Sequence, residues 1–355
     1  MTVFSYTYKL EIDGAEYETF GDMRMSFAVD GLGLSGLCTA TFSVAIPSFD
    51  FGGASSSAEV VLTCTSNPAI EFPTFYLSGR SANGKSVVLS CVDRMMFTDQ
   101  MYAIADTAYD SNGEILTINV LNDISGQCGF NSGAMFLGTK AINAIPKLKK
   151  EQTHKRQCSD ILSVVATACG GYWFTYNNNL IFKPFGTSPY LSGVHATKHT
   201  AVVKGGTKGP ISNLYMTGNG DTAYGQAGSA SNTIKIDTPM VSAALAGAVE
   251  EVVEEYTYNA WSCDKALLDV CPTFDTAIDF ADGETRLCNN ATISITGSGL
   301  YATLSSNEVS EDEFDYSGQL KRDILNRIAF GERRGGIQIN PDGKIVTYVD
   351  KNKYV

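Results

Sequence analysis

Phe4, Tyr6, Tyr8, Leu10 and Ile12 alternate with Ser5, Thr7, Lys9 and Glu11, and Asp13-Gly14 follows at once. A period of two puts every apolar side chain on one face of a strand, whereas in a helix the same residues would scatter around the axis. Asp-Gly then supplies a two-residue turn, because glycine accepts a positive φ. The pattern recurs at Met23, Met25, Phe27 and Val29, and at Phe42, Val44 and Ile46, where Pro47 stops it. Residues 74–92 read as a hairpin turning at Asn83-Gly84. Residues 1–98 are therefore expected to form an antiparallel β domain, barrel-like in its closure.

After Asp99 the period changes. Residues 117–128 carry helical spacing through Ile118, Leu121 and Ile124 and end at Gly129. A second helix is expected with Ser159 as its N-cap and Ile161, Leu162, Val165 and Ala168 on its apolar face. Each helix ends in Cys-Gly, Cys128-Gly129 and Cys169-Gly170, which places a cysteine in the last turn and a glycine where a left-handed cap is cheapest. That is a packing role, since neither cysteine sits at a helix N-terminus where the dipole would favour a thiolate. The hairpin 172–185 puts Tyr172, Phe174 and Tyr176 on one face and Trp173 on the other. Such rings could stack on a sugar or a base; core packing against the 159–169 helix is the plainer reading. These elements make up a small α+β domain, residues 99–188.

Residues 204–232 hold seven glycines among Ser, Thr and Asn and read as a long loop or arm. Pro239 is expected to open a helix, "MVSAALAGAVEEVVEEY", with acids on one side. Strands return at 274–280, 285–289 and 291–296, so residues 189–315 are expected to form a second β-barrel domain carrying the arm and the acidic helix. A last helix near 317–328 and a hairpin around Pro341-Asp342-Gly343 complete a C-terminal unit, 316–355. One echo links the two β domains: Ser35-Gly36-Leu37 with Ala40-Thr41-Phe42-Ser43 resembles Ser298-Gly299-Leu300 with Ala302-Thr303-Leu304-Ser305. The expected fold class is mainly β with α+β insertions: two antiparallel β-barrel-like domains related by weak internal duplication, plus a small helix-hairpin domain.

Charge and cysteine usage narrow the function. The net charge is −12, and no basic stripe dominates as a nucleic-acid reader would require. The densest basic run, Lys147-Leu148-Lys149-Lys150 with His154-Lys155-Arg156, is broken by Glu151 and reads as a solvated linker. The nine cysteines are odd in number and hold no CxxC pair, which argues against a disulfide framework or a cysteine-rich zinc site. Reduced cysteines used as small apolar residues fit synthesis in the cytoplasm. The N-terminus lacks the basic flank and apolar core of a signal peptide, and the longest weakly polar run, 240–249, is too short to span a bilayer.

Motifs for chemistry fail on context. Gly31-Leu-Gly33-Leu-Ser-Gly36 matches the dinucleotide string, but an alternating strand follows where a helix is needed. His195-Ala-Thr-Lys-His199 has zinc-helix spacing, yet Ala196 stands where a catalytic Glu belongs, and a surface linker is the plainer reading. His154 is the third histidine, so a triad has little to draw on, and no GxSxG elbow occurs. Asp110-Ser-Asn112-Gly113-Glu114 places its glycine too early for a calcium loop and reads as a turn. Glu250-Glu251, Glu254-Glu255 and Glu311-Asp312-Glu313 are taken as solvated acids. No catalytic, cofactor-binding or metal residue is assigned, and no cofactor is expected.

The order of these segments resembles a known family. "LCTATFSVAIPSFDFGGASSSAEVVLTC" and "FYLSGRSANGKSVVLSCVDRMMFTDQMY" are similar to the N-terminal barrel of the tail (baseplate) hub proteins of tailed bacteriophages and phage-like bacteriocins. The carrying feature is an alternating strand ending in an Asp followed by hydrophobics, Val92-Asp93-Arg94-Met95-Met96. "ILSVVATACGGYWFTYNNNLIFKPF" resembles the family's helix-plus-hairpin unit, and "ATISITGSGLYATLSSNEVSEDEFDY" the segment closing its second barrel. The resemblance implies a non-enzymatic homotrimer whose two barrels per subunit make a pseudo-sixfold ring, joining a hexameric tail tube or distal tail protein to a trimeric spike or tip. It further implies tape-measure protein as a partner, passage of DNA through the bore without specific binding, and a place in the virion tail after assembly in the host bacterial cytoplasm. A tail-tip cell-wall hydrolase and a glycan-binding tail module are the alternatives. Residues 204–258 match nothing in the family pattern.

Overall fold

The Asp13-Gly14 turn forms as its residues dictate: both have positive φ, 48° and 77°, and the hairpin they close twists with its strands. It joins β1 (Tyr8–Ile12) to β2 (Ala15–Tyr17), with Leu10 and Ile12 buried beneath. In this computed structural model the described residues are 5–19, 21, 23–29, 33–45, 57–83, 85–186, 188–208, 213–218, 222–225, 233–253, 258–306, 337–339, 345–350 and 353–354. The first half continues through β3 (Met23–Ala28), β4 (Gly33–Leu34), β5 (Thr39–Ala45), β6 (Glu59–Cys64), β7 (Phe75–Asn83) and β8 (Ser86–Val92). Met23, Met25 and Phe27 of β3, and Phe42 and Val44 of β5, all face the core, as the alternation requires. The β7–β8 hairpin is present, though Gly84 lies outside the described residues.

The α+β segment contains β9 (Glu114–Leu116), α1 (Thr117–Gln127), β10 (Met135–Phe136), α2 (Lys140–Asn143), β11 (Lys147–Lys149), α3 (Lys150–Thr153), α4 (Cys158–Ala168), β12 (Gly171–Tyr176) and β13 (Asn179–Pro184). Both Cys-Gly ends behave as read: Cys128 and Cys169 cap their helices, and Gly129 and Gly170 take positive φ, 70° and 64°. The start of α4 differs from expectation. Gln157 occupies the N-cap position with extended backbone, held by a bridge to Met101, and Ser159 is buried inside the first turn. The tertiary bridge sets the helix entry and overrides the local preference for serine. The basic run likewise forms β11 and α3 instead of a linker.

The second half comprises β14 (Leu191–His199), β15 (Val203–Lys208), β16 (Asn213–Gly218), β17 (Thr222–Gly225), β18 (Thr233–Asp237), α5 (Ala243–Val253), β19 (Tyr258–Leu268), β20 (Thr276–Phe280), β21 (Thr285–Cys288), β22 (Asn290–Thr296) and β23 (Gly299–Ser306). Residues 204–232, read as a loose arm, instead contribute β15 and two strands of a small sheet ordered β17-β16-β18. Leu214 and Met216 on β16 and Ile234 and Ile236 on β18 form its buried face, and Gly218 lies so close to the Thr238 carbonyl that no Cβ would fit. The helix read from Pro239 begins at Ala243, where Ser242 Oγ accepts from Leu245 N. The expected helix at 317–328 lies outside the described residues. The terminal hairpin is present as β24 (Ile337–Ile339) against β25 (Ile345–Asp350), with β26 (Lys353–Tyr354) beside it.

Two antiparallel β-barrel-like domains are expected from the sequence. Among the described residues no ladder closes either half. A fourteen-stranded sheet runs β2-β1-β6-β7-β8-β5-β3-β22-β23-β19-β14-β20-β21, with β15 on β19. The sheet is also mixed, because β14 and β20 run parallel. The halves join where β3 pairs with β22, at the cross-strand pair Met25–Ile293, with Ala40 beside Met25 and Ala302 beside Ile293. The Ser-Gly-Leu echo therefore falls on two hairpins that flank one central pair.

Candidate functional site

The aromatic hairpin β12–β13 turns at Asn177 and Asn178, both left-handed at φ 47° and 58°, a conformation asparagine tolerates. Trp173, Phe174 and Phe182 are fully buried and Tyr172 nearly so. The Trp173 indole N–H donates to Leu162 O of α4 at 2.9 Å, and Phe136 stands edge-on to its ring. On the opposite face Phe174 packs on Phe274, and Tyr176 on Tyr190. Tyr172, Trp173 and Phe174 thus have no open face for a sugar or a base; they are core, as the plainer reading held.

The histidines do not converge. His195 and His199 lie on β14, inside the sheet and not on a linker. His195 Nδ1 is 2.9 Å from Asp269 and its Nε2 is 3.8 Å from Asp279, so carboxylates, not a nucleophile, flank both nitrogens. His199 Nδ1 bonds Thr200 O, and its ring meets Phe280 edge-on. No group of three or more His, Cys, Asp or Glu that could hold a metal ion occurs among the described residues. The Asp110 loop is a turn: Oδ1 accepts from Asn112 N and Glu114 N, and Lys147, 2.6 Å from Oδ2, holds its carboxyl below the ordinary range. Lys150 pairs with Asp106 and Lys140 with Glu251, so these lysines meet acids. A cleft of about 550 Å³ opens between β15, β19 and β21, but its charges are likewise paired, Lys204 with Glu284 and Arg286 with Asp282 and Glu284.

Two buried polar junctions fix the α+β segment to the sheet. Asp93, at the end of β8, is closed to solvent; Cys38 N and Thr175 Oγ1 donate to its Oδ2 at 3.1 and 2.9 Å, and Met95 N to its Oδ1 at 3.2 Å. Burial pushes its pKa up to about 6, against those three hydrogen bonds. Lys183 of β13 reaches Asp275 in the turn before β20, and Asp275 Oδ2 also accepts from Tyr190 N at 2.8 Å. The sequence reading missed the Lys183 junction and the role of Asp93. The available signal was a charge interrupting each apolar run, Val92-Asp93-Arg94-Met95 and Phe182-Lys183.

The exposed side of the same segment carries four large apolar residues among its polar ones. Leu116, Ile118, Met135 and Leu137 are each 40–46% exposed. Asn122 Oδ1 accepts from Ala134 N, and Leu137 N donates to Phe182 O, so β10 lies along α1 on the side where Ile118 sits one turn before Asn122. This strip can bury area against another chain but can do no chemistry. No helix among the described residues is long and apolar enough to cross a membrane.

No protein-family model and no curated protein matches this sequence. Solved structures do. A 43 kDa tail protein of prophage MuSo2 from Shewanella oneidensis is similar at a TM-score of 0.53 and 10% identity, over 88% of this chain and 99% of that one. Prophage tail protein gp18 from Listeria monocytogenes aligns at 0.49 and 12% identity, over 85% and 93%. An E. coli component of the type VI secretion system, described as structurally similar to T4 tail proteins gp27 and gp5, aligns at 0.48 and 10%, over 85% and 77%. The first two of these neighbours are phage tail proteins, and the likeness is one of fold.

Proposed function

We propose that this chain is a structural part of the tail or baseplate of a phage or phage-like particle, acting as its hub without catalysis. The observation that carries the reading is the fold shared with the MuSo2 tail protein over nearly all of both chains. In this reading three copies form a ring, and two related β lobes per copy, 1–98 and 189–315, give it pseudo-sixfold character. The 99–188 unit buttresses both lobes. The ring joins a tail tube or distal tail protein to a spike or tip, with tape-measure protein in or above the bore. A net charge of −12 suits a bore along which DNA phosphates slide without binding.

The hydrolase and glycan-binding alternatives gain no support: the flanks of His195 are carboxylates, and Trp173 and Phe174 are core. Solution mass measurement with low-resolution imaging tests the hub reading. The expected result is a closed ring of three; a stable monomer would overturn it.

A further inference from the structure

Lys183 lies near the end of β13, cross-strand from Tyr172 of β12, and Asp275 lies in the turn before β20. Lys183 Nζ is 2.6 Å from Asp275 Oδ2, and the two side chains are 3% and 2% exposed. Both residues are held in place. Ladder pairing fixes Lys183 in its strand. Asp275 O accepts from Tyr190 N and Leu191 N at 3.0 and 3.3 Å, and Thr276 Oγ1 ties the turn to Thr273. Tyr190 N also donates to Asp275 Oδ2 at 2.8 Å, so the oxygen that meets the amine has a fixed position. The neighbouring rings form an apolar shell: Phe274 packs on Phe27 and Phe174, Phe174 on Tyr190, and Tyr172 on Phe185.

This arrangement meets the conditions for condensation. An amine and a carboxyl group fixed against each other on rigid elements react as one molecule, with effective molarities on the order of 10⁵–10⁸ M. Bulk water, which drives amides back to acid and amine, is excluded from the contact. Burial also disfavours the ammonium and pulls the Lys183 pKa below its ordinary value, which brings the free amine, the nucleophilic form, within reach. Two buried charges become one neutral amide, so the desolvation cost of both disappears.

We propose that Lys183 and Asp275 condense to an intramolecular isopeptide bond, releasing one water. The ion pair of the structure is the reactant. A proton passes from Lys183 Nζ to Asp275 Oδ2 along their contact and leaves a neutral amine facing a carboxylic acid. The nitrogen lone pair attacks Asp275 Cγ; the C–N bond forms, and the electron pair of the Cγ–Oδ1 double bond moves onto Oδ1. A second proton moves from the nitrogen to Oδ2. The Cγ–Oδ2 bond breaks, Oδ2 leaves as water, and Oδ1 becomes the amide carbonyl. An ammonium and a carboxylate thus give one amide and one water, with no oxidant, reductant or activated donor. The product ties β13 covalently to the turn before β20, two segments distant in the chain, and so restricts the unfolded chain as a disulfide would. The inference rests on this pair alone and is independent of the assembly the chain joins.

The test is the intact mass of the full chain, folded, then denatured and reduced. The expected mass is lower than the sequence requires by one water. Digestion should give a branched peptide joining the Lys183 segment to the Asp275 segment, sequenced by tandem mass spectrometry. Lys183→Arg keeps the cation but offers no nucleophilic amine, so its mass should match its sequence. A full-mass unsubstituted chain would overturn the proposal. So would a water loss that maps elsewhere, as a succinimide at Asp13-Gly14 would, or one that persists in Lys183→Arg. If that variant does not fold, the branched peptide of the unsubstituted chain decides.

Discussion

The Lys183 ammonium lies 2.6 Å from the Asp275 carboxylate, with side chains only 3% and 2% exposed. This pair crosses from the aromatic hairpin to the second half of the sheet. Burial pulls the Lys183 pKa below its ordinary value, and Asp275 opposes that pull. Two buried charges hold each other in place here, and neither is tolerable alone.

Removing one partner should therefore cost more than removing both. Lys183→Met is expected to destabilise the chain by about 3–5 kcal/mol, because Asp275 is left buried and unpaired. Lys183→Met with Asp275→Asn should recover part of that loss, since asparagine is neutral and accepts the left-handed φ of 58° found at Asp275. Denaturant unfolding of the two single variants and the double variant measures the coupling. A double variant no better than Lys183→Met would refute the pairing account.

Asp93 predicts a pH dependence. Its folded pKa of about 6 lies above the ordinary 3.8, so the folded chain binds this proton more tightly than the unfolded one. That contribution is complete below pH 3.8 and is lost as pH rises through 6. It amounts to about 3 kcal/mol, at about 1.4 kcal/mol per pKa unit. Asp93→Asn removes the titration, so the stability of the unsubstituted chain relative to this variant should fall by about that amount between pH 4 and pH 7. Parallel stability–pH curves would show that Asp93 does not titrate in this window.

Gly170 ends α4 at φ 64°, and a Cβ there would lie 2.8 Å from Val249 Cγ1 of α5. Gly170→Ala should lose about 1–2 kcal/mol from the backbone alone, and more from the collision. Adding Val249→Ala should relieve only the collision, giving a favourable coupling energy in a double-mutant cycle. Strict additivity would mean α5 does not pack on this cap.

The apolar strip predicts an assembly defect without a folding defect. Ile118→Glu and Leu137→Glu, at 41% and 40% exposure, should leave the thermal midpoint nearly unchanged while lowering the mass of the assembled particle in light scattering. Full assembly in both variants would place the subunit contacts elsewhere.

Much of this molecule could be read along the chain. Period-two alternation located β1, β3 and β5; Asp13-Gly14 set a hairpin; Cys-Gly marked the ends of α1 and α4. These features depend on φ preferences and side-chain spacing within a few residues, so sequence alone determines them. What it could not determine were partners distant in the chain. Met25 pairing with Ile293, β14 running parallel to β20, and β16 running parallel to β18 each join strands whose local patterns suit many neighbours. The glycine-rich 204–232 segment looked unstructured because a strand buried by distant residues needs little local signal of its own. Asp93 and Lys183 looked like interruptions in apolar runs until Cys38, Thr175 and Asp275 stood beside them. A buried charge is stable only with its partner in place, and only the packing of the whole chain supplies that partner.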